Sequence, residues 1–390
     1  MNKIFQLCLI FILIVSLFVA CQKGQDNSLD DIKTIYNEDI PQKPSLSISF
    51  KEDFTLRENW IGPAKLLPDD KGNLFVFDEE DKNPTIYKFN NSGELIQKKS
   101  FNKGQGPGDF NFMDPDFSSE GKLCIFDKLS RRLTILDNNL EFTDSIKLEK
   151  SLFYFRLDSN DFIYGFYSGF PDIEHRKNHE MPKILAKFSP EGGHPRKIFE
   201  YSAKFTFMKD GVLYCYLYGP SCIFKIDESN NIYYAETGKY EINIFSPSGK
   251  MIKKISKKTS QIKITPDDLK DSGLRQQVWG YDNSYKWQFA PASKYKPCIE
   301  DFFILNNGYL LVLTYDYDES EHKTILADLF DERGVFLTKV EVPKYSFSYA
   351  CRPDYFFRKS KALEDDFFYT IETDEDAENY RIKRYKMSWQ

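Results

Sequence analysis

The chain has 390 residues, of which 41% are hydrophobic and 16% aromatic, which is too much apolar surface for a disordered chain. Its 35 Phe, 24 Tyr and 4 Trp favour strands, because large rings fit a pleated, half-buried surface. The 53 Lys and Arg against 59 Asp and Glu give a formal net charge of −6, which argues against a broad nucleic-acid-binding surface.

Residues 1–20 have the pattern of a lipoprotein signal peptide. Lys3 is their only charge, and the apolar run that follows ends in the letters LFVAC, the last of which is Cys21. A small residue followed by Cys at this point resembles a bacterial lipobox, in which the chain is cut before the Cys and a diacylglycerol is attached to its sulfur. The resemblance implies lipidation of Cys21, although Phe18 departs from the usual Leu. An ordinary signal peptide or a signal anchor is the alternative.

The remaining chain is predicted to be one domain on a tether. Residues 21–44 are polar and predict a flexible tether, and 45–390 predict a single globular domain. No other apolar run approaches the length of a membrane span. We therefore predict a protein of the bacterial cell envelope, periplasmic or surface-exposed, that contacts the membrane through its lipid anchor only.

Internal similarity indicates how the domain is built. In each copy a turn rich in Gly or Asn is followed by an apolar strand, an alternating strand, a second turn and an outgoing strand. The first two copies align, with Gly72 opposite Gly121 and Asp78 opposite Asp127. The equivalent turn positions of the six copies are Gly72, Gly121, Asn160, Asn230, Gly308 and Glu364.

These copies predict an all-β fold, a six-bladed β-propeller. A sheet of three or four antiparallel strands does not bury both faces alone, but six sheets packed around an axis do. The final copy is short of a strand, so we predict that an N-terminal strand over 45–56 completes it and closes the ring. A helix-start pattern at Thr265 predicts a short inserted helix at about 266–278. Whether residues 201–221 form a seventh small blade stays open.

One stretch between the first two copies carries a family resemblance. Lys103–Phe110 reads KGQGPGDF, and a G-x-G-P-G-[DE]-[FY] element there is characteristic of six-bladed, NHL-like or TolB-like propeller lipoproteins of bacterial envelopes. The chain resembles that group over about 60–390, which implies its fold and no particular activity. No Lys-Ser or Lys-Thr follows as in a phosphate-binding loop. We therefore interpret the stretch as an inter-blade turn built on Gly104, Gly106, Pro107 and Gly108.

The histidines and cysteines offer few candidates for chemistry. His175 and His179 have the i, i+4 spacing of a metal pair, but Arg176 stands where a metalloprotease motif has Glu. We interpret them as part of a solvated loop, predict no cofactor, and keep a divalent metal at this pair as the alternative.

The cysteines do not form a disulfide framework. Five remain after Cys8 leaves with the signal and Cys21 is lipidated, and five is odd. Cys124 lies in an apolar strand pattern and is predicted to belong to the core. Cys215 and Cys222 are close enough in sequence to form a bridge, and this possibility stays open.

Acidic residues recur at the ends of the predicted strands. Asp78, Asp127, Asp227 and Glu236 are candidates for the axis, where related propeller lyases and lactonases hold a metal. Their recurrence is better explained by hydrogen bonding in turns. No catalytic residue is predicted.

The sequence therefore favours a non-enzymatic binding or protein-interaction module over an enzyme. We predict a monomer that binds an envelope protein, a peptide or a glycan, and not nucleic acid. The alternative is a secreted propeller enzyme, a lyase or hydrolase with an axial metal.

Overall fold

The computed structural model describes residues 32–58, 60, 62–79, 83–170, 180–204, 207–209, 212–217, 221–265, 286–291, 294–317, 324–343, 345, 361–373 and 380–390. Every regular element within these residues is a strand, and none of them forms a helix long and apolar enough to cross a membrane. The predicted signal peptide, Cys21, His175, His179 and the helix at 266–278 lie outside the described residues.

Twenty-eight strands are described, numbered here in chain order. The N-terminal pair is β1 (Lys33–Asn37) and β2 (Ile48–Leu56). Blade 1 holds β3 (Pro63–Pro68), β4 (Leu74–Asp78), β5 (Thr85–Phe89) and β6 (Leu95–Ser100). Blade 2 holds β7 (Asp114–Phe117), β8 (Leu123–Asp127), β9 (Arg132–Leu136) and β10 (Phe142–Lys147). Blade 3 holds β11 (Tyr154–Leu157), β12 (Ile163–Ser168), β13 (Glu180–Phe188) and β14 (Arg196–Lys204).

The second half of the ring repeats this plan with two insertions. Strands β15 (Phe207–Lys209) and β16 (Val212–Leu217) precede blade 4, and β21 (Lys286–Pro291) follows it. Blade 4 holds β17 (Cys222–Ile226), β18 (Ile232–Glu236), β19 (Glu241–Phe245) and β20 (Met251–Lys257). Blade 5 holds β22 (Asp301–Ile304), β23 (Leu310–Tyr317), β24 (Thr324–Phe330) and β25 (Phe336–Pro343). Blade 6 holds β26 (Lys361–Glu364), β27 (Phe367–Thr373) and β28 (Tyr380–Trp389).

The ring is closed by strand β2. Blade 6 has the order β2-β28-β27-β26, and β2 runs antiparallel to β28 from the pair Ile48–Trp389 to the pair Leu56–Ile382. The last three strands of the chain and one of its first strands therefore form one sheet. The predicted closure by an N-terminal strand over 45–56 is confirmed.

The hydrophobic core is divided among the junctions between blades. Six clusters of buried side chains are present, and each joins two neighbouring blades. At the junction of blades 6 and 1, Tyr369 and Ile371 pack with Val76 and Tyr87. Because the last blade packs on the first in the same way as the others, apolar surface is buried all around the ring.

The first turn of each blade contains one residue with positive φ. In four blades it is the predicted residue, but in blade 3 it is Asp161 rather than Asn160, and in blade 6 Asp365 rather than Glu364. Asp adopts the left-handed conformation more readily than most side chains, so an Asp can take the place of the usual Gly or Asn. These two turn positions were therefore predicted one residue too early.

We expect Gly334→Ala to destabilise the ring more than Gly121→Ala. Both glycines have positive φ, +90° and +73°, which costs an alanine about 1 kcal/mol. A Cβ on Gly334 would also lie 2.6 Å from Ile255 Cγ1, on the outer strand of the preceding blade, whereas a Cβ on Gly121 would meet open space. Overpacking adds about 1–3 kcal/mol. Urea denaturation of the two variants measures the difference, and equal losses would show that the contact with Ile255 yields without cost.

Residues 201–221 do not form a seventh blade by themselves. Arg196–Lys204 is the outer strand of blade 3, and β15 and β16 form an antiparallel hairpin. Strand β16 then pairs in parallel with β21, which comes from the insertion after blade 4. Two insertions thus combine into one small three-stranded sheet, and this pairing has no counterpart in the blades.

The described part of the predicted tether belongs to the ring. Thr34–Gln390 form one compact unit, and β1 is the fifth strand of blade 4, beside β20. The backbone N–H groups of Gln42 and Lys43 then donate to the carbonyl oxygens of Phe336 and Leu337, on blade 5. The boundary predicted at residue 45 is therefore corrected to about residue 33, because backbone hydrogen bonds hold these residues along two blades.

Candidate functional site

The two faces of the ring differ in the length of their connections. Because the strands of a blade alternate in direction, all links between blades, and between second and third strands, begin and end on one face, here called the loop face. The opposite face, the turn face, carries the links between first and second strands, which hold five residues in blades 1 to 5 and two in blade 6. Loop-face links include 101–113 and 258–300. The loop face is therefore where the chain departs most from the repeat.

The inner strand of each blade, which lines the axis, carries at least one charged side chain. We call these side chains the axial cluster. Its members are Lys65, Asp114, Asp116, Arg156, Lys225, Asp301 and Lys361, together with Glu79 and Glu300 at the adjoining strand ends. On the inner strands, Lys65, Asp114, Asp301 and Lys361 stand four residues before the first turn of their blade, and Asp116, Arg156 and Lys225 stand two residues before it.

Blades 4, 5 and 6 are linked by one chain of ion pairs. Asp301 Oδ1 lies 3.2 Å from Lys225 Nζ, and its Oδ2 lies 3.9 Å from Lys361 Nζ. Lys361 Nζ also lies 2.5 Å from Glu300 Oε1, and the Tyr345 hydroxyl donates to the other oxygen of Glu300. These contacts place Asp301 of blade 5 between lysines of the two neighbouring blades, and Glu300 beside the lysine of blade 6.

The pKa values in this chain of ion pairs follow from burial and from the neighbouring charges. Burial opposes the charge of Asp301, but Lys225 and Lys361 outweigh it, so the pKa of Asp301 is lowered. Burial raises the pKa of Glu300 in spite of Lys361 and Tyr345, and burial lowers the pKa of Lys225 in spite of Asp301. The cluster thus holds both signs of charge in a partly desolvated setting.

A second ion pair lies on blade 1, where this blade meets blade 2. Lys65 Nζ lies 2.9 Å from Glu79 Oε1 and also donates to the carbonyl oxygen of Met113. The same Glu79 oxygen accepts the backbone N–H of Met113 at 2.8 Å. One carboxylate therefore holds both a lysine of blade 1 and the backbone at the start of blade 2.

Blade 2 is joined to blade 3 through its inner strand. The Oδ2 atoms of Asp114 and Asp116 accept the backbone N–H groups of Phe155 and Leu157 at 3.1 and 2.7 Å. The inner strand of a blade leaves its axial edge unpaired by any further strand, and these two carboxylates satisfy part of that edge. Arg156 lies between the two bonded residues.

The turn-face end of the axis is acidic. Burial, together with the negative charges of Asp365, Asp70 and Asp69, raises the pKa of Glu364 to about 7. These residues come from the first turns of blades 6 and 1. The axis therefore has cations and carboxylates along its inner strands and carboxylates at its turn-face end.

We expect the stability of the ring to fall as pH rises from about 4.5 to 7, in part because of Glu364. In this window the folded protein holds a proton on Glu364 that the unfolded chain, with a pKa near 4.5, has released. Glu364→Gln should remove this contribution and raise the free energy of unfolding at pH 8 by about 1–3 kcal/mol. Urea denaturation at pH 5, 6, 7 and 8 measures it, with exposed Glu191→Gln as the control. Parallel pH profiles for the parent and Glu364→Gln would contradict the expectation.

The acidic strand ends singled out in the sequence serve the backbone. Asp78 Oδ1 accepts the N–H of Gly62 at 3.1 Å, and Asp127 Oδ2 accepts the N–H of Asn111 at 3.1 Å. Each thus fastens the start of its own blade, 16 residues earlier in the chain. Asp227 accepts the N–H of Asn231 within the first turn of blade 4. For these three residues, the interpretation as hydrogen-bonding groups of turns and strand ends is confirmed.

The glycine-rich stretch forms a joint between blades 1 and 2. Asp109 Oδ2 accepts the N–H of Gly106 at 3.2 Å, and Cβ atoms on Gly104 and Gly106 would lie 2.7 and 2.5 Å from that oxygen. Asn111 Nδ2 donates to the carbonyl oxygen of Gly104, and Phe110 is buried in the cluster between the two blades. The glycines are required because a carboxylate closes tightly over them, and the stretch connects the outer strand of blade 1 to the inner strand of blade 2.

The other chemical candidates of the sequence have structural partners. Cys222 carries a free thiol 2.8 Å from the Tyr234 hydroxyl, so it forms no bridge with Cys215, and Cys124 is buried as predicted. His194 Nδ1 lies 2.7 Å from Glu149 on the surface. Among the described residues, no three His, Cys, Asp or Glu side chains are placed to hold a metal ion.

The axial cluster left a signal in the sequence that was missed. Each of its inner-strand members stands two or four residues before the first turn of its blade, inside an otherwise apolar strand. Alternate residues of a strand share one face, so these positions point to the same side of every inner strand. The signal was missed because the repeats were aligned on turns and apolar positions and not on the charged positions between them.

A ring of six antiparallel blades, closed by an N-terminal strand and lined at its axis by charged side chains, defines a six-bladed β-propeller. The chain belongs to the family DUF5128, described as a 6-bladed beta-propeller, whose model matches residues 43–264. The expected propeller family is thereby confirmed. No curated protein matches the chain.

Solved structures that are similar in fold have low sequence identity with this chain. A member of the duf4221 family from Bacteroides vulgatus is 10% identical, with 88% of this chain and 99% of that chain covered and a TM-score of 0.49. Virginiamycin B lyase from Staphylococcus aureus is 11% identical, with 87% and 99% covered and a TM-score of 0.42. The calcium-binding protein regucalcin from Agrobacterium tumefaciens is 12% identical, with 90% and 96% covered and a TM-score of 0.42.

Proposed function

We propose that this protein is a lipid-anchored binding module of the bacterial cell envelope, which holds a protein, peptide or glycan at its axis. The observation that carries the proposal is the axial cluster, in which every blade places at least one charged side chain on its inner strand. Charged groups on six strands of a closed ring are held in fixed positions, as a specific polar site requires.

Two properties of the cluster support binding over a purely structural role. The side chains of Lys225 and Asp301 remain 19% and 22% exposed, so neither side chain is completely enclosed. Partly desolvated charges interact more strongly with a ligand than charges in bulk water. The inner strands that carry the cluster also begin at the face where the long links of the ring begin and end, and binding residues are often found on such links.

The anchor rests on the sequence LFVAC at the end of the apolar segment. A diacylglycerol on Cys21 would hold the ring at a membrane surface and leave its faces accessible to ligands in the envelope. Replacement of Cys21 tests whether this residue carries the lipid. The full-length protein should partition into the detergent phase and incorporate labelled fatty acid, and the variant Cys21→Ser should do neither. Unchanged membrane association of Cys21→Ser would refute the anchor.

Binding is tested by affinity purification of the full-length protein from its own envelope after cross-linking. The parent protein is compared with the axial double variant Lys225→Met/Asp301→Asn, in which a matched pair of charges is removed. The control is Lys197→Gln/Glu200→Gln, an exposed pair on the outer strand of blade 3. We expect a bound species with the parent and the control that is lost with the axial variant, once circular dichroism has shown that variant to be folded. Recovery of no species, or equal recovery with all three, would refute the proposal.

A further inference from the structure

Arg156 differs from the other cations of the axial cluster in its hydrogen bonds. A guanidinium group has five N–H donors, and Arg156 uses Nη1 to donate to the carbonyl oxygen of Phe155 at 2.8 Å. Among the described residues it has no carboxylate within 4.0 Å, whereas Lys65, Lys225 and Lys361 each have at least one. Its remaining donors are therefore available at the axis.

The position of the Arg156 guanidinium is fixed although most of its N–H donors are unused. Its central carbon lies 4.3 Å from the centroid of the Tyr154 ring, a distance at which a cation is attracted to the ring face. The nearest acidic side chains, Asp114 and Asp116, are held by the backbone N–H groups of Phe155 and Leu157. The planar group is thus oriented by an aromatic ring, and its neighbouring carboxylates are engaged elsewhere.

The surrounding charges limit the charge of the ligand group that Arg156 can bind. Lys225 and Lys361 come from blades 4 and 6 and share Asp301, and Lys361 also pairs with Glu300, so three cations face four carboxylates when Asp114 and Asp116 are counted. A centre that already holds one more carboxylate than cations accommodates a singly charged group better than a doubly charged one. A guanidinium with two parallel N–H donors matches the two oxygens of a carboxylate.

We infer that Arg156, assisted by Lys225, binds a carboxylate group of the ligand at the axis. This inference rests on the proposed function and names the chemical group that its site recognises. The carboxylate takes up the unused donors of Arg156 in a bidentate arrangement, and Lys225 stands beside it as a second cation. Asp301 keeps Lys225 in place by their 3.2 Å contact.

The test uses matched probes that differ only in the carboxylate. Isothermal titration of the full-length protein in detergent compares N-acetyl-alanyl-alanine with its C-terminal amide, and glucuronate with glucose, at constant ionic strength. We expect each carboxylate to bind at least 10-fold more tightly than its neutral counterpart. The two pairs also distinguish a peptide source of the carboxylate from an acidic sugar, since the better probe identifies the source. Tighter binding of inorganic phosphate than of both carboxylates would overturn the assignment.

The variants locate the binding at Arg156. Arg156→Gln should weaken carboxylate binding at least 10-fold, Arg156→Lys less, and Lys225→Met about 3- to 10-fold. Arg57→Gln, at an exposed arginine before blade 1, should change nothing. Melting curves establish that each variant is folded, and Lys225→Met provides a second measurement if Arg156→Gln does not fold. Equal binding by the parent and both axial variants, or no carboxylate binding by the parent, overturns the inference.

The outcome is separable from that of the proposed function. If the envelope species is captured by the parent protein and by Arg156→Gln alike, the carboxylate assignment is wrong and the binding module stands. If no envelope species is captured while the carboxylate probes bind as expected, the binding module is wrong and the anion site stands.

Discussion

Deletion of residues 45–56 is expected to lower the melting temperature of the propeller by about 15 °C or more, or to prevent its folding. These residues contain β2, which pairs with β28 over its whole length and is the outer strand of blade 6. Ile48 and Leu56, each 5% exposed, belong to the core clusters on either side of that blade. Loss of a buried Leu or Ile side chain alone costs about 2–5 kcal/mol, and the deletion removes both together with a ladder of backbone hydrogen bonds.

The deletion would also expose the edge of β28. An unpaired edge strand is a template for pairing with another chain, so the deleted protein should aggregate on heating as well as melt earlier. Circular dichroism and light scattering during a thermal ramp measure both effects. A chain beginning at residue 45 is the control, because it lacks β1 and keeps β2, and a chain beginning at residue 57 lacks both. If the chains beginning at residues 45 and 57 have the same melting temperature, β2 does not close the ring.

The propeller could be predicted because its repeats carry turn residues that have few alternatives. Gly72, Gly121 and Gly308 have positive φ in equivalent turns, a conformation that glycine adopts without strain. The buried strands that follow them are short and apolar, such as Leu74–Asp78 and Leu123–Asp127. Local chemistry therefore fixed both the turn and the strand in most copies, and a count of copies gave the number of blades.

Strand β1 could not be predicted on the same grounds. Its five residues lie in a polar stretch, and its fastening comes from distant parts of the chain. Asn37 Nδ2 donates to the carbonyl oxygens of Ser256 and Gly334, and its Oδ1 accepts the N–H of Phe336. These partners lie 219, 297 and 299 residues away. No local pattern records contacts at such separations, so the segment had the composition of a tether.

The axial cluster depends on the same kind of long-range information. A lysine at position 225 and an aspartate at position 301 are ordinary in a sequence, and only the ring places them 3.2 Å apart. The sequence offered acidic residues at strand ends as candidates for the axis but favoured hydrogen bonding in turns for them, and Asp78 and Asp127 accept backbone N–H groups. The acidic residues that recur from blade to blade therefore stabilise the backbone of their own blades. The axial cluster comes from positions whose charge changes from blade to blade.

A buried cation outside the axis joins β1, blade 4 and blade 5. Lys257 is 4% exposed, and its Nζ lies 3.1 Å from Asp328 Oδ2 and 2.5 Å from Asp39 Oδ1. Tyr240 donates its hydroxyl hydrogen to the same oxygen of Asp328. Burial raises the pKa of Asp328, and Lys257 and Tyr240 oppose this rise. The lysine therefore compensates the negative charge of Asp328, a carboxylate that is almost completely shielded from water.

Lys257→Met is expected to destabilise the protein by about 3–5 kcal/mol at pH 8, because it leaves the charge of Asp328 buried without a cation. Loss of the cation raises the pKa of Asp328 further, so the carboxyl binds a proton as pH falls and the deficit should be smaller at pH 5 than at pH 8. The double variant Lys257→Met/Asp328→Asn should recover most of the loss. Lys254→Met, on the same strand with a partly exposed partner, should cost less than about 1 kcal/mol. Urea denaturation at both pH values measures these differences, and a deficit that does not change with pH would mean that Asp328 is not the charge left behind.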